Sequence, residues 1–323
     1  MKSIRSNQHV YALSADMKPV ATAVPRETVI FETCDALGGQ VHSEQDVLSE
    51  LDFDRVNPAT GPLAVDGAEP GDALVVRIRR IDTADHGVAL TGPGMGVLGD
   101  EALRHTTRIL PIEDGVVRFD ELCLPSKPMI GVIGVAPSEG SHPTGTAHRH
   151  GGNMDTQEIA AGATLYLPAF QHGALLAIGD VHAAMGDGEV CITGCEVAAS
   201  VVVEVDVLKG QAPTWPTLET EDAVYILVSL PTIGEALVEA TRQGVRFLER
   251  ARRTSFEDAY ILSSLAMNVR VSQLVDPNKT AKAVIPKHLF AGAVCESLWG
   301  AEGNLNVSSA IERGWKDRPV VRR

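Results

Sequence analysis

A chain of 323 residues is long enough for one large domain or for two to three smaller ones, with a substantial core. Hydrophobic residues make up 44% and charged residues 22%, as in a globular protein, while aromatic residues make up only 4%, so the core must rest on Val, Leu, Ile and Ala. The net charge of −14 repels phosphate backbones and anionic lipid, which argues against nucleic acid and membrane partners.

The N-terminal stretch MKSIRSNQHVYALSADMKPV lacks the apolar run of a secretory signal. No later stretch approaches the roughly 18–20 apolar residues of a membrane span. The first two thirds read as β-rich. Turn residues at 57–62 (NPATGP) precede a partly alternating strand at 73–81 (ALVVRIRRI). Gly94, Gly96 and Gly99 match a dinucleotide-binding pattern on paper, but no clear strand precedes them and no helix follows, so that motif is rejected. Further strands are expected at 129–135, 164–167, 174–178 and 190–193. The clearest lies at 198–208, β-branched and alternating.

Gly210, Pro213 and Pro216 then break the pattern. They divide a β-rich catalytic region (1–215) from an α+β subdomain (216–323). From Thr232, apolar or small residues at Ile233, Ala236, Leu237, Ala240, Gly244, Phe247, Leu248 and Ala251 keep a helical period. Ser255 and Asp258 form a capping-box-like start for a second helix. A terminal β pair at 273–275 and 281–285 flanks the turn Asp276-Pro277-Asn278-Lys279. The fold class is mainly β with an α+β C-terminal part, which is expected to act as support or as an oligomer surface. Five scattered cysteines (Cys34, Cys123, Cys191, Cys195, Cys295) suit free thiols in a reducing compartment, and a cytoplasmic location is expected.

Chemistry concentrates between His148 and Glu196. This window holds His148, His150, His172, His182, Asp155, Asp180, Asp187, Glu158, Glu189 and Glu196, and imidazoles with carboxylates suit zinc or a similar divalent ion. Asp180 and His182 stand two apart after a strand expected to end at Gly179. If the chain stays extended, both side chains share a face. The turn Gly186-Asp187-Gly188 can return Glu189 to the same region as a general base. Taken singly, acids beside glycine are more often turn formers; it is the combination that argues for a site. Asp35 and His42 join it only if the chain bends at Gly38-Gly39, and an acidic loop after a strand is the simpler reading. Cys191 and Cys195 are spaced C-x3-C and read as packing residues in a strand. There is no G-x-S-x-G elbow and no H-E-x-x-H helix.

Several segments resemble the acetamidase/formamidase family: 57–76 (NPATGPLAVDGAEPGDALVV), 129–137 (MIGVIGVAP), 151–155 (GGNMD), 165–196 (LYLPAFQHGALLAIGDVHAAMGDGEVCITGCE) and 255–264 (SFEDAYILSS). The resemblance spans about residues 28–287. It implies β-sandwich-like modules, a homo-oligomer, and hydrolysis of small amides such as formamide and acetamide, with γ-lactam a substrate of some members. It also implies a divalent metal, commonly zinc and sometimes calcium. The metal positions fall on His150, Asp155, Asp180 and His182, the acid on Glu189, and a further acid on Asp35. Backbone amides of Gly151, Gly152 and Asn153 are expected to face the oxyanion, and Asn153 to hold the substrate amide. The chain departs from the family at Ala147-His148-Arg149-His150, where relatives lead in with Gly-Pro-His or Gly-Ser-His, and at His172-Gly173. Two other readings stand beside this one. One is a β-sandwich that binds a metal or small ligand without turnover. The other is a metal-free amidase using Cys191 or Cys195.

Overall fold

A computed structural model of the protein describes residues 1–290. Cys295 and the basic tail at 316–323 lie outside the described residues. The strands that matter for the site are β1 (Glu27–Thr33), β2 (Ala59–Val65), β3 (Ala73–Thr83), β4 (His86–Thr91), β5 (Met129–Gly134), β6 (Gly151–Asn153), β7 (Thr164–Pro168), β8 (Leu176–His182), β9 (Glu196–Val197), β10 (Ala199–Leu208), β11 (Thr217–Glu219) and β12 (Ala223–Leu230). Helices α1 (Ile233–Arg252) and α2 (Phe256–Ala266) follow, then β13 (Asn268–Gln273) and β14 (Lys279–Pro286).

Two sheets pack face to face, and the helices form a third layer. One sheet has nine strands, ordered Lys2–Ile4, β1, β10, β3, β7, β11, β12, β14, β13. The other has eleven, and its centre runs β4, β9, β8, β5, β6, with β2 on the other side of β8. Alternation explains the layering. In β3, Leu74, Val76 and Ile78 point into the core between the sheets, while Val75 points to the helix side. Leu165 and Leu167 of β7 face the sandwich, and Tyr166 between them faces α1. On β10, Val201, Val203 and Val205 fill the sandwich core. Its Glu204 turns outward to Arg77 at 3.1 Å and Arg79 at 2.6 Å on the neighbouring strand.

Ser255 caps α2 by accepting the Asp258 amide, as the sequence predicts, and Thr232 caps α1 by accepting that of Glu235. The expected boundary near 215 falls inside one continuous sheet, because β11 to β14 extend the edge formed by β7. Three strand expectations need correction. β8 does not stop at Gly179 but runs on to His182. Residues 190–193 form a turn, so Cys191 is not in a strand. The terminal pair is longer than expected, with β13 starting at Asn268.

Candidate active site and metal centre

The adjacent strands β5 and β8 bring the acids together. Met129 pairs with His182 and Ile130 with Val181, so Asp180 and His182 lie beside Gly131. The Met154 amide donates to the Gly131 carbonyl, which delivers Asp155 to the same spot from the other side. Gly131 has no Cβ; one built there would meet Asp155 Oδ1 and, at 2.5 Å, Asp180 Oδ2. The missing side chain makes the room in which the two carboxylates meet.

His182 is the centre of the cluster. Its Nε2 lies 3.1 Å from Asp180 Oδ1, 3.1 Å from Glu196 Oε2, 3.7 Å from Glu189 Oε1 and 3.9 Å from Asp155 Oδ1. Glu196 arrives on β9, which pairs with β8 so that Glu196 faces His182. Glu189 follows the turn at Gly188, whose amide donates to the Ser272 carbonyl at 2.7 Å. Asp276, in the turn between β13 and β14, completes the group and accepts from Asn153 Nδ2 at 2.9 Å. Asp155, Asp180, His182, Glu189 and Glu196 are all buried.

Five carboxyl groups around one imidazole cannot all ionise in a dry site. Burial pushes Asp155 up to about 7, with the Asp180 charge adding to it. Burial likewise pushes Glu196 up to about 8. Glu189 and Asp276 are raised well above the usual carboxylate range, by burial first and the Asp155 charge second. Burial also works against the charge of Asp180, yet His182 beside it holds its carboxyl low. For His182, burial opposes protonation, but Glu196 and Asp180 outweigh it and raise the imidazole well above its ordinary value.

Both Asp155 oxygens and His182 Nδ1 are buried without a hydrogen-bond partner, and Glu196 Oε2 meets only His182 Nε2, at 3.1 Å. Such orphaned acceptors are costly unless a cation or donor meets them. Two trios, Asp155–Asp180–His182 and His182–Glu189–Glu196, each offer ligand atoms within 4.8 Å of one another. The donor set of oxygens with one nitrogen fits a divalent cation.

The residues singled out in the sequence divide into groups. Asp155, Asp180, His182 and Glu189 come together. His150 does not join them: its ring lies among histidines, 5.1 Å from that of His142 and 5.5 Å from that of His148. Burial drives His150 down to about 3, so it is neutral. Asp35 also stands apart, since its Oδ1 accepts the Leu37 and Gly39 amides at 2.8 and 3.2 Å and shapes a turn. Gly151 to Asn153 form the short strand β6 rather than a turn, and the Gly151 amide donates to the His148 carbonyl, so it is not free for an oxyanion. His172 is exposed and pairs with Glu69. Burial, with Glu196 adding, pushes the Cys195 thiol up to about 12, which removes it as a thiolate nucleophile.

Sequence reasoning named Glu196 in its window without giving it a role, and gave none to Asp276 or His142. Glu196 lay inside the window, and only strand pairing gives it a partner. Asp276 read as a turn former.

This frame recurs in solved structures described as acetamidases. A solved structure from Thermoanaerobacter tengcongensis, described as a predicted acetamidase/formamidase, is 43% identical, covers 89% of this chain and 96% of its own, and superposes with a TM-score of 0.87. An acetamidase from Bacillus halodurans is 41% identical, covers 88% and 97%, and also gives 0.87. A formamidase from Methylophilus methylotrophus is 24% identical over 362 residues, 85% of this chain and 88% of its own. The profile of the acetamidase/formamidase family matches residues 5–144 and 140–292. The chain belongs to that family, and it is an amide hydrolase of that type. No helix among the described residues is long and apolar enough to cross a membrane.

Proposed function

We propose that the protein hydrolyses the carbon–nitrogen bond of small carboxylic amides, formamide- and acetamide-like, to the acid and ammonia, with a divalent ion of the zinc type at the buried cluster. The observation that carries this reading is the cluster itself: Asp155, Asp180, Glu189, Glu196 and Asp276 around His182, with orphaned oxygens that call for a cation. Asp155, Asp180 and His182 would hold the ion, with Glu196 as a further ligand. When bound, such an ion supplies Lewis acidity that polarises a carbonyl and acidifies water.

The chain's own groups do the rest. Glu189, raised by burial, is tuned to take a proton from water and return it to the nitrogen, so that ammonia and not amide anion departs. Asn153 Oδ1 is buried without a partner and is fitted to accept a hydrogen bond from the substrate NH2. Its Nδ2 is already spent on Asp276, which fixes the orientation of the side-chain amide. Glu189, rather than the turn-forming Asp35, takes the proton-transfer role in this reading. The cytoplasm and a homo-oligomeric state complete the proposal.

The test is ammonia release from formamide, acetamide, propionamide and a γ-lactam, before and after exhaustive chelation and after zinc is restored. Release that is lost on chelation and regained with zinc supports the reading and identifies the substrate class. Stoichiometric metal with no release from any amide would favour a non-catalytic binding protein.

A further inference from the structure

Beside the turn that carries Glu189 lies a cleft of about 400 Å³, whose wall includes Leu110, Phe119, Leu124, Met185, Glu189 and Val190. Strand pairing builds one part of the wall. Val117 pairs with Leu124 in the hairpin of Val116–Phe119 and Leu122–Pro125, and with Ile112 of Thr106–Glu113, the strand that carries Leu110. The segment 184–195 supplies the rest, and it is tied down. Thr193 Oγ1 accepts the Leu90 amide at 3.0 Å and donates to the Leu90 carbonyl at 3.1 Å. The Val97 amide donates to the Val190 carbonyl at 2.8 Å. The cleft is therefore built in advance, as ligand sites commonly are.

This cleft touches the acid cluster. Glu189 belongs to both, since it lines the cleft and its Oε1 lies 3.7 Å from His182 Nε2. Gly194, also on the wall, donates its amide to Glu196 Oε1 at 2.9 Å. A Cβ built on Gly194 would meet His182 Nδ1 at 2.7 Å, so the glycine backbone lies directly against the imidazole. A molecule seated in the cleft thus meets the cluster at Glu189.

The wall is apolar. Among the described residues, no Lys, Arg or His lines it, and its charged residues are Glu189 and Asp187. The Asp187 carboxylate is already engaged by Lys282 at 2.7 Å and by Gln157 at 2.9 Å. Phe119, Leu124 and Val190 are large apolar side chains left exposed. Grouped around one cleft, they mark a site for apolar ligand surface. Formamide and acetamide have three and four non-hydrogen atoms and displace about as many waters, or ~90–120 Å³ at about 30 Å³ each. By the same measure hexanamide takes ~240 Å³, which the cleft holds with room to spare.

We propose that this cleft holds the acyl chain of the substrate, and that the substrate class is the primary amides of medium-length apolar carboxylic acids, such as pentanamide and hexanamide. This inference rests on the amide-hydrolase reading above. Phe119 and Leu124 determine the preference by covering methylene groups, while the amide end lies against Glu189. The reaction balances as for any amide: water's oxygen bonds the carbonyl carbon, the carbon–nitrogen bond breaks, and ammonia leaves with the transferred proton. The product is the aliphatic carboxylate.

The experiment compares kcat/KM of the metal-replete, full-length enzyme for acetamide, butyramide and hexanamide. It uses wild type, a polar double variant (Phe119→Asn with Leu124→Asn) and an apolar one (Phe119→Leu with Leu124→Ile). Binding of hexanoate and of acetate is titrated in parallel by calorimetry. A fully buried methylene is worth about fourfold, so across a partly open wall hexanamide is expected to exceed acetamide roughly tenfold or more. The polar variant should erase most of that ratio with acetamide turnover nearly unchanged, and the apolar variant should keep it. A general structural defect would lower all substrates together and leave the ratio intact. Equal use of the three amides by wild type, as when a second copy of the chain covers the wall, overturns the acyl cleft while the amidase reading stands. So does a ratio that survives in the polar variant. If no amide is cleaved, the amidase reading fails instead. A preference for hexanoate over acetate that the polar variant loses then supports the apolar cleft by itself, and equal binding of the two acids to wild type overturns it.

Discussion

Gly131 shows how one residue sets the chemistry. Its backbone is extended within β5, so alanine fits the φ and ψ there, and the only obstacle is space. A methyl group at this position enters the volume shared by Asp155 Oδ1 and Asp180 Oδ2. Gly131→Ala is therefore expected to leave the far-ultraviolet circular dichroism unchanged while metal content and turnover fall together, turnover by 10²-fold or more on the scale of losing a catalytic group. A fully active alanine variant would move the site away from these two carboxylates. Glu189→Gln separates roles further: metal should stay bound while turnover drops about 10²-fold or more, and metal content measured beside kcat decides it. Of this residue-scale picture, the pair Asp180 and His182 was legible in the sequence as close neighbours, and the structure keeps them 3.1 Å apart, although Asp180 takes a left-handed φ of 52° where an extended chain was expected. The remaining contacts depend on neighbours far along the chain. His150 looked like a ligand by residue type, but its ring lies against those of His142 and His148.

At the scale of elements, the turn that presents Glu189 is held by the C-terminal strands. Lys282 on β14 is fully buried, with Nζ 2.7 Å from Glu158 and 2.7 Å from Asp187, two residues before Glu189. Gly188 is tied to β13 by hydrogen bonds to the Ser272 carbonyl and from the Leu274 amide. The C-terminal part thus reaches the acid cluster instead of acting only as support. Its polar contribution comes from β13, β14 and the turn between them, while α1 buries an apolar face on the sheet. Periodicity and capping residues made the helices readable, but nothing local marks Lys282 as buried, since lysine is almost never fully buried unless paired. Lys282→Met leaves two carboxylates without their cation. Their side chains are 22% and 37% exposed, so water takes up part of the charge. The expected loss of stability is about 3 kcal/mol, the low end for breaking a buried pair, accompanied by a fall in kcat larger than the change in KM. Adding Asp187→Asn should recover some of that stability by removing an unpaired charge. Denaturant unfolding of the single and double variants tests this, and strictly additive losses would rule out the clamp.

Across the whole molecule, folding forces the acids into a dry site, and that makes stability depend on pH and on metal in a definite direction. Asp155 at about 7 and Glu196 at about 8 lie above their ordinary values of 3.8 and 4.5, and Glu189 and Asp276 are displaced the same way. In the ion-free protein the folded state holds protons that the unfolded chain has released. The stability these groups contribute is fully present below their unfolded values and is lost as pH rises through their folded ones. His182, raised above 6.5, adds to the loss above that value. His150, lowered from 6.5 to about 3, works the other way: its contribution is present above 6.5 and is lost as pH falls towards 3. Between about pH 5 and 8 the carboxyl groups outnumber it, and each uncompensated proton amounts to about 1.4 kcal/mol per pH unit. Chelated protein should therefore melt at a lower temperature at pH 8 than at pH 5.5. A cation at the cluster displaces those protons, so metal-replete protein should lose far less over the same range and should release protons into weak buffer on loading. Melting curves with and without chelator at the two pH values read both effects. Parallel behaviour with and without metal would mean that the ion is not held by these acids, and the hydrolytic reading would then need another source of electrophilic assistance.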